Sequence, residues 1–351
     1  MELVTKLLDV RRSGGEDNAL RSRMSDISEP HAYEELNLTA VTEHSRAFVK
    51  IEDGCNQFCS YCIIPYARGR VRSRRPESVL EEIRHLAENG TREVVLTGIH
   101  LSSYGVDFAA PEHRRPEEPF YGEPGLLELI RMVHEIPGIE RIRLGSLEPR
   151  IVTEEFAAGL AKLPKICPHF HLSLQSGCDA TLERMNRHYT AEEYRRRCEI
   201  LRKYFDQPAI TTDVIVGFPG ETEEEFAQTE EFLRRIRFYE MHIFKYSRRK
   251  GTRADRMSDQ VPETVKTQRS AKLLALADEM SEAFRKLYIG TRQEILTEET
   301  IRISGEPYTV GYTKEYIRAA LPGEYPVNTA VSGILKDRTV SGILLLRPET
   351  K

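Results

Sequence analysis

Between residues 47 and 246, six short apolar segments alternate with longer amphipathic stretches. Ala47–Ile51, Glu93–Thr97, Arg141–Leu144, His169–Leu174, Thr212–Gly217 and Met241–Tyr246 have the length and the β-branched or aromatic content of strands. Apolar residues spaced three and four apart predict helices over 77–89, 124–135, 153–162, 190–204 and 222–236. Thr222 and Glu225 form a capping box after the Phe218-Pro219-Gly220 turn and fix the start of the last of these. A repeated strand–helix unit requires parallel strands joined by right-handed crossovers. The expected core is an α/β fold, a partial, open β/α TIM-like barrel of about six parallel strands. Its site belongs at the C-terminal ends of those strands.

The pattern changes on either side of this core. Residues 264–287 predict a helix that closes it. From about residue 288, short alternating segments broken by Gly305, Pro307, Gly311, Gly323, Gly333 and Gly342 predict a small C-terminal all-β barrel. Residues 11–46 are polar and Ser- and Arg-rich without steady periodicity, and the Pro-rich stretch 108–125 reads as an inserted surface loop. The expected division is 1–45, 46–287 and 288–351.

Composition narrows the class. The chain has 351 residues, 40% hydrophobic and 30% charged, with a mean hydropathy of −0.47. These values fit a globular protein and exclude one built to sit in a membrane. No apolar run reaches the ~20 residues needed to span a bilayer, and the first ten residues lack a signal-peptide pattern. A cytoplasmic location is the expectation. A net charge of −4 provides no global attraction for nucleic acid, so such a partner would be held by local patches.

The six cysteines are too few for a disulfide scaffold, and three of them crowd into Gly54-Cys55-Asn-Gln-Phe-Cys59-Ser-Tyr-Cys62, directly after the first predicted strand. Three thiolates on one loop suit three irons of a [4Fe–4S] cluster and leave the fourth iron open. A zinc site is the alternative, and it needs a fourth ligand such as His85 or His100. Cys167, Cys178 and Cys198 are scattered and read as small core residues.

Several blocks in order carry a family resemblance. They are GCNQFCSYCIIPYARGRVRSRR from Gly54, TGIHLSSYG from Thr97, LGSLEP from Leu144, HFHLSLQSGCDATLERMNRHYT from His169 and VIVGFPGETEEEF from Val214. Together they resemble the radical-SAM methylthiotransferases, and most of all the bacterial branch acting on N6-threonylcarbamoyladenosine in tRNA. The resemblance covers about residues 46–350.

The resemblance implies that Cys55, Cys59 and Cys62 hold a [4Fe–4S] cluster whose open iron chelates S-adenosylmethionine, which one electron cleaves to a 5′-deoxyadenosyl radical. Tyr61 would pack on the adenine of that ligand. Thr97 and Gly98 would bind its methionine amino group, and Gln175, Ser176, Val216 and Gly217 would lie near its ribose and adenine. Glu148 and Arg187 would face the cavity. The implied activity is methylthiolation at C2 of threonylcarbamoyladenosine at position 37 of tRNA, with flavodoxin or ferredoxin as electron donor. Isopentenyladenosine in tRNA and an aspartate of a ribosomal protein are the neighbouring substrates, and an inactive RNA-binding fragment is the reading from another class.

Relatives of this kind carry an N-terminal domain whose three cysteines hold a second [4Fe–4S] cluster, expected here only in a full-length protein. Only about 46 residues precede the core, and none of the first 54 is Cys. Residues 1–45 therefore read as a linker or the remnant of a truncated N-terminal domain, with 2–11 as its last helix.

On the substrate side, Arg68, Arg70, Arg72, Arg74 and Arg75 are expected to contact phosphates of an anticodon stem-loop, together with Arg248, Arg249, Lys250 and Arg253. The helical runs at 195–197 and 234–237 are expected to pair with neighbouring glutamates. The C-terminal module resembles the RNA-binding TRAM domain, and Lys314, Tyr316, Arg318, Lys336 and Arg338 are its candidate basic aromatic face.

Overall fold

The computed structural model describes Tyr33, residues 45–108, 125–339 and 342–348, with only the backbone of Asp337 and Arg338. The expectations placed on residues 2–11, on most of the 11–46 linker, on most of the 108–125 loop and on the Arg338 side chain fall outside the described residues.

Strand β1 (Arg46–Asp53) carries the short antiparallel β2 (Arg72–Ser73) on one edge and pairs in parallel with β3 (Glu93–Gly98), which pairs in parallel with β4 (Arg141–Leu144). β5 (His169–His171), β6 (Ala209–Val216) and β7 (Glu240–Lys245) form a second parallel set. Single parallel bridges, Ile142 to Ile166 and Leu147 to Leu172, carry the arc from β4 to β5. Six parallel strands thus follow one another in chain order, and no pairing joins β7 back to β1 among the described residues. The core is the open, partial β/α barrel that the alternating pattern predicts.

The outer layer consists of α1 (Ile64–Ala67), α2 (Pro76–Glu88), α3 (Leu126–His134), α4 (Glu154–Ala161), α5 (Asp179–Arg184), α6 (Ala191–Tyr204), α7 (Glu223–Ile236) and α8 (Glu263–Leu287). Thr153, Thr190 and Thr222 cap α4, α6 and α7 by accepting a backbone N–H, and Thr190 and Thr222 complete capping boxes with Glu193 and Glu225. Cys167, Cys178 and Cys198 are buried.

Alternation along the strands sorts the side chains into two faces. Ala47, Val49 and Ile51 of β1, Val94 and Leu96 of β3, Ile142 and Leu144 of β4, Phe170 of β5, Ile210, Val214 and Val216 of β6 and Met241 of β7 all join the main apolar core under the helices. Their neighbours therefore point inward. The inner face carries Arg46, Phe48, Lys50 and Glu52, then Glu93, Val95 and Thr97, then Arg141 and Arg143, then His169 and His171, then Thr211, Asp213 and Ile215, then Glu240, His242 and Phe244. A closed TIM barrel packs this space with branched aliphatic residues. Here it is mostly polar and charged, which suits a cavity that receives a ligand.

The strands β8 (Arg292–Ile303), β9 (Glu306–Tyr312), β10 (Arg318–Pro322), β11 (Ala330–Arg338) and β12 (Leu344–Pro348) pair in the closed order β10-β12-β11-β8-β9. This module covers the N-terminal ends of the core strands. Arg141 Nη1 donates to Tyr312 O at 2.8 Å, Arg143 Nη1 to Lys314 O at 3.0 Å and Lys314 Nζ to Pro164 O at 2.9 Å. The Tyr316 ring stacks on His169 at 5.0 Å and lies under the guanidinium groups of Arg46 and Arg143. That placement takes Lys314 and Tyr316 out of the expected RNA-facing basic aromatic surface, whereas Lys336 is exposed. Lys314 and Tyr316 are spent on the contact with the core, and Arg318 pairs with Glu299. Cation–π stacking and buried carbonyl acceptors reward this use of the residues, and a single sequence gives no view of it.

Candidate functional site

The three clustered cysteines lie on the loop that leaves the C-terminal end of β1, and backbone constraints hold that loop in place. Gly54 has φ +84°, and a Cβ there would stand 1.9 Å from the carbonyl oxygen of Arg70, so only glycine fits. Cys55 N donates to Gly69 O at 3.1 Å, and Ser60 N to Met185 O at 2.9 Å. Phe58, between the first two thiols, adopts φ +50°, and Asn186 Nδ2 donates to its carbonyl at 3.1 Å. The loop is fixed from two sides, by residues 69–70 and by residues 184–186.

Cys55 is buried, whereas Cys59 and Cys62 are half-buried. Burial, reinforced by the adjacent thiols, pushes Cys55 up to about 12 and raises Cys62. Among the described residues, His171, Asp213 and His242 bring three ligand atoms within 4.8 Å of one another, but the three cysteine sulfurs do not. Three thiols on one loop suit three irons of a [4Fe–4S] cluster and leave its fourth iron open.

Arg187 completes the wall beside the thiols. It is half-buried and donates from Nη1 to Cys59 Sγ at 3.3 Å, from Nε to Tyr189 OH at 2.9 Å and from Nη2 to Ser173 O at 3.3 Å. A cation directed at a sulfur ligand suits an anionic iron–sulfur group. Glu148 is buried nearby and accepts from Arg150 Nε at 2.7 Å, while Arg150 Nη2 donates to Gln57 Oε1 at 3.2 Å on the cysteine loop. The structure thus brings Glu148 and Arg187, far apart in sequence, to the same loop.

The other candidate residues line the same rim in different ways. Thr97 and Gly98 end β3, and a Cβ at Gly98 would stand 2.7 Å from Glu52 Oε2. Gln175 has φ +73° and bridges to β6, with its N–H donating to Asp213 O at 2.9 Å. Gly217 has φ +70° and its N–H donates to Glu221 Oε2 at 2.6 Å. Tyr61 packs edge-on against Phe218, with centroids 6.3 Å apart. The Ser176 hydroxyl points away from the rim, into the outer layer, where it meets Thr229 Oγ1 at 3.2 Å. Val216 likewise turns its side chain into the core. These two residues can offer a ligand only their backbones.

Sequence reading missed Glu52 and gave His100 only as a possible fourth ligand of a zinc site. Burial pushes Glu52 up to about 8, which favours its neutral form; Oε2 accepts the His100 backbone N–H at 2.7 Å, and buried Oε1 has no hydrogen-bond partner. Burial, with Arg187 and Arg150 nearby, drops His100 to about 3 and keeps its ring neutral. The only sequence signal for Glu52 was its place on the inner face, three positions before Cys55. A separate cleft of 460 Å³ between α6, α7 and α8, lined by Arg202, Arg237 and Phe284, contains none of these residues.

The basic runs divide. Arg74 forms a buried pair with Glu82, Arg72 lies 3.5 Å from Asp53 and Arg248 lies 3.0 Å from Asp255, which corrects the expectation that all of these arginines serve phosphates. Arg68, Arg70 and Arg75 are exposed, as are Arg249, Lys250 and Arg253. Arg195 and Arg196 pair with Glu192, and Arg234 with Glu230, as expected. No helix among the described residues is long and apolar enough to cross a membrane.

An open arc of parallel strands with three thiols on the loop after its first strand defines a class, and the comparisons agree with it. The radical SAM superfamily model matches residues 49–233. The chain belongs to the radical SAM superfamily and, within it, to the methylthiotransferases. It is 41% identical to the threonylcarbamoyladenosine tRNA methylthiotransferase MtaB of Bacillus subtilis, over 86% of this chain and 64% of that protein. It is 46% identical to a tRNA-2-methylthio-N(6)-dimethylallyladenosine synthase of Caldicellulosiruptor saccharolyticus, over 74% of this chain and 52% of that protein. A synthase of the same name from Desulfitobacterium hafniense is 37% identical over 90% of this chain and 68% of its own length. The chain thus spans roughly half to two thirds of the relatives it matches. Superfamily membership carries with it a [4Fe–4S] cluster and S-adenosylmethionine.

Proposed function

We propose that this chain is the radical-generating and substrate-holding part of a tRNA methylthiotransferase that adds a methylthio group to C2 of N6-threonylcarbamoyladenosine at position 37. The observation that carries the proposal is the meeting of three unpaired thiols, the Arg187 guanidinium on Cys59 and a polar inner face at one end of an open barrel. The Bacillus relative, matched over 86% of this chain, supports the threonylcarbamoyl substrate. The dimethylallyl substrate is the second reading, favoured by the 46% identity of the Caldicellulosiruptor relative.

In this reading Cys55, Cys59 and Cys62 hold the cluster. When bound, it supplies the electron that splits the sulfonium bond of S-adenosylmethionine and starts the radical chemistry. Thr97 and Gly98 offer backbone groups to the methionine end, and the absence of a side chain at Gly98 keeps that space open over Glu52. Gln175, Ser176, Val216 and Gly217 offer rim backbone to the nucleoside end, beside Tyr61. Arg187 holds a positive charge on Cys59, and Glu148 fixes Arg150 against the cysteine loop. Inward-facing strand residues enclose the substrate base and keep water from a reactive radical. Exposed Arg68, Arg70, Arg249 and Lys250 flank the rim and contact phosphates of the stem-loop. The C-terminal module is read as TRAM-like, with RNA contacts on surfaces other than the Tyr316 face. The electron donor is a small one-electron carrier such as flavodoxin or ferredoxin.

Anaerobic reconstitution with iron and sulfide, followed by dithionite and S-adenosylmethionine, tests the reading. It expects near four irons per chain from this loop and formation of 5′-deoxyadenosine, both abolished by Cys59→Ala. Zinc in place of iron, or a loaded cluster that leaves S-adenosylmethionine intact, defeats it.

A further inference from the structure

The inner face carries a group of side chains that the proposed chemistry leaves unused. His171 on β5, Asp213 on β6 and His242 on β7 place one ligand-type atom each within 4.8 Å of one another. Their positions follow from strand register: Asp213 pairs with His242, and His171 pairs with Thr211, the inward neighbour of Asp213 two residues earlier. His171 Nδ1 lies 3.0 Å from Thr211 Oγ1, which fixes the orientation of the ring. Its Nε2 is buried, 3.3 Å from Asp213 Oδ2, without an aligned hydrogen bond. His242 is exposed, with its ring 5.8 Å from that of His171. These residues lie about three positions below the C-terminal ends of β6 and β7, hence roughly 10 Å beneath the rim at about 3.3 Å per residue.

Two exposed aromatic residues stand on the same inner face. Phe48 on β1 is 56% exposed and Phe244 on β7 is 53% exposed, on the two parallel strands that border the open side of the arc. Large apolar side chains left this open on an inner wall offer faces on which a base can stack. Arg143, level with Phe48 in the strand register, packs with His169 and Tyr316 on the side toward the C-terminal module. Aromatic walls at the open side and a donor–acceptor group behind them describe a seat for a purine with a polar substituent.

We infer that His171, Asp213 and His242 bind the substituent on N6 of the target adenine and select one rich in hydrogen-bonding groups over an aliphatic one. The inference rests on the proposed tRNA-adenosine substrate. A carboxylate accepts N–H groups such as those of a carbamoyl linkage, and two imidazoles donate to carbonyl or carboxylate oxygens. An aliphatic substituent in the same place would desolvate all three side chains and satisfy none, and sites built to hydrogen-bond a ligand reject analogues lacking its polar groups strongly. The three residues are positioning groups for substrate; none touches the cysteine loop.

The test compares two synthetic anticodon stem-loop RNAs, one with N6-threonylcarbamoyladenosine and one with N6-dimethylallyladenosine, binding to the whole chain, to Asp213→Asn and to His242→Phe. The readout is the ratio of the two dissociation constants, because a general folding defect weakens both RNAs alike and leaves the ratio unchanged. The unaltered chain is expected to prefer the threonylcarbamoyl RNA at least tenfold, and each variant is expected to reduce the ratio to within about threefold of unity. Equal behaviour of the unaltered chain toward the two RNAs, including failure to bind either, overturns the inference. So does a preference that survives both variants, or one stoichiometric divalent metal that His242→Phe removes. Absence of S-adenosylmethionine cleavage by the reconstituted chain defeats the functional proposal instead, and the affinity ratio still judges this inference.

Discussion

Glu93 stands where the core meets the C-terminal module, and its removal has a magnitude that can be worked out. It is buried on the inner face, 2.9 Å from Arg143 Nε and 3.8 Å from Arg141 Nη1, and both arginines are buried too. At an effective dielectric near 20 these contacts have gross Coulomb energies of about 6 and 4 kcal/mol before desolvation is subtracted. Replacing Glu93 by Gln keeps the volume and leaves the buried Arg143 guanidinium short of its counter-charge, while Arg141 keeps Glu294 at 3.1 Å. Breaking a buried pair in this way costs about 3–5 kcal/mol. Both arginines also donate to the C-terminal module, at Tyr312 O and Lys314 O, so the loss should loosen that contact as well as lower stability. In calorimetry we expect Glu93→Gln to lower the melting temperature by about 10 °C. Limited proteolysis should release the module after α8. Combining Glu93→Gln with Arg143→Met should restore much of the loss, with a coupling of about 2 kcal/mol or more. A loss under about 1 kcal/mol, or additive single effects, would refute the assignment. The pH dependence has a definite sign. Burial alone would raise the Glu93 carboxyl, but Arg143, with Arg46 and Arg141, outweighs it and holds the pKa below the ordinary 4.5. The stabilisation is therefore fully present above 4.5 and is lost as pH falls through the folded-state value, and Glu93→Gln should lack that acid-side loss.

Other outcomes follow from the cysteine loop and its surroundings. Gly54→Ala, forced into φ +84° against the Arg70 carbonyl, should cut iron loading several-fold, whereas Cys198→Ala, at a core position, should leave iron content unchanged; iron analysis after reconstitution checks both. Gly98→Ala puts a methyl 2.7 Å from Glu52 Oε2 and should weaken S-adenosylmethionine binding at least tenfold at unchanged iron content, measured by equilibrium dialysis. Arg70→Ala should weaken stem-loop binding and lower the salt slope by about one, while Arg74→Met, at a residue paired with Glu82, should change stability and not that slope.

The sequence by itself determined the order and type of the elements and the cysteine loop, because these depend on local spacing. Short apolar segments marked every parallel core strand, Thr222 and Glu225 announced their helix, and three cysteines within eight positions after a strand named the chemistry. Short pieces such as β2, α1 and α5 escaped, since two to six residues carry too little periodicity to register. The fate of charge also lay beyond reach. Arg70 and Arg74 look alike in the chain, yet one is exposed and the other is buried against Glu82. Tertiary structure alone decided which distant groups meet. Arg187 reaches Cys59 across 128 positions, Tyr316 is drawn under Arg46 and Arg143, and His171, Asp213 and His242 come together through the register of three strands. The physical reason is that strand pairing fixes which residues share a level of the barrel, and that register emerges only when the whole arc packs against its helices.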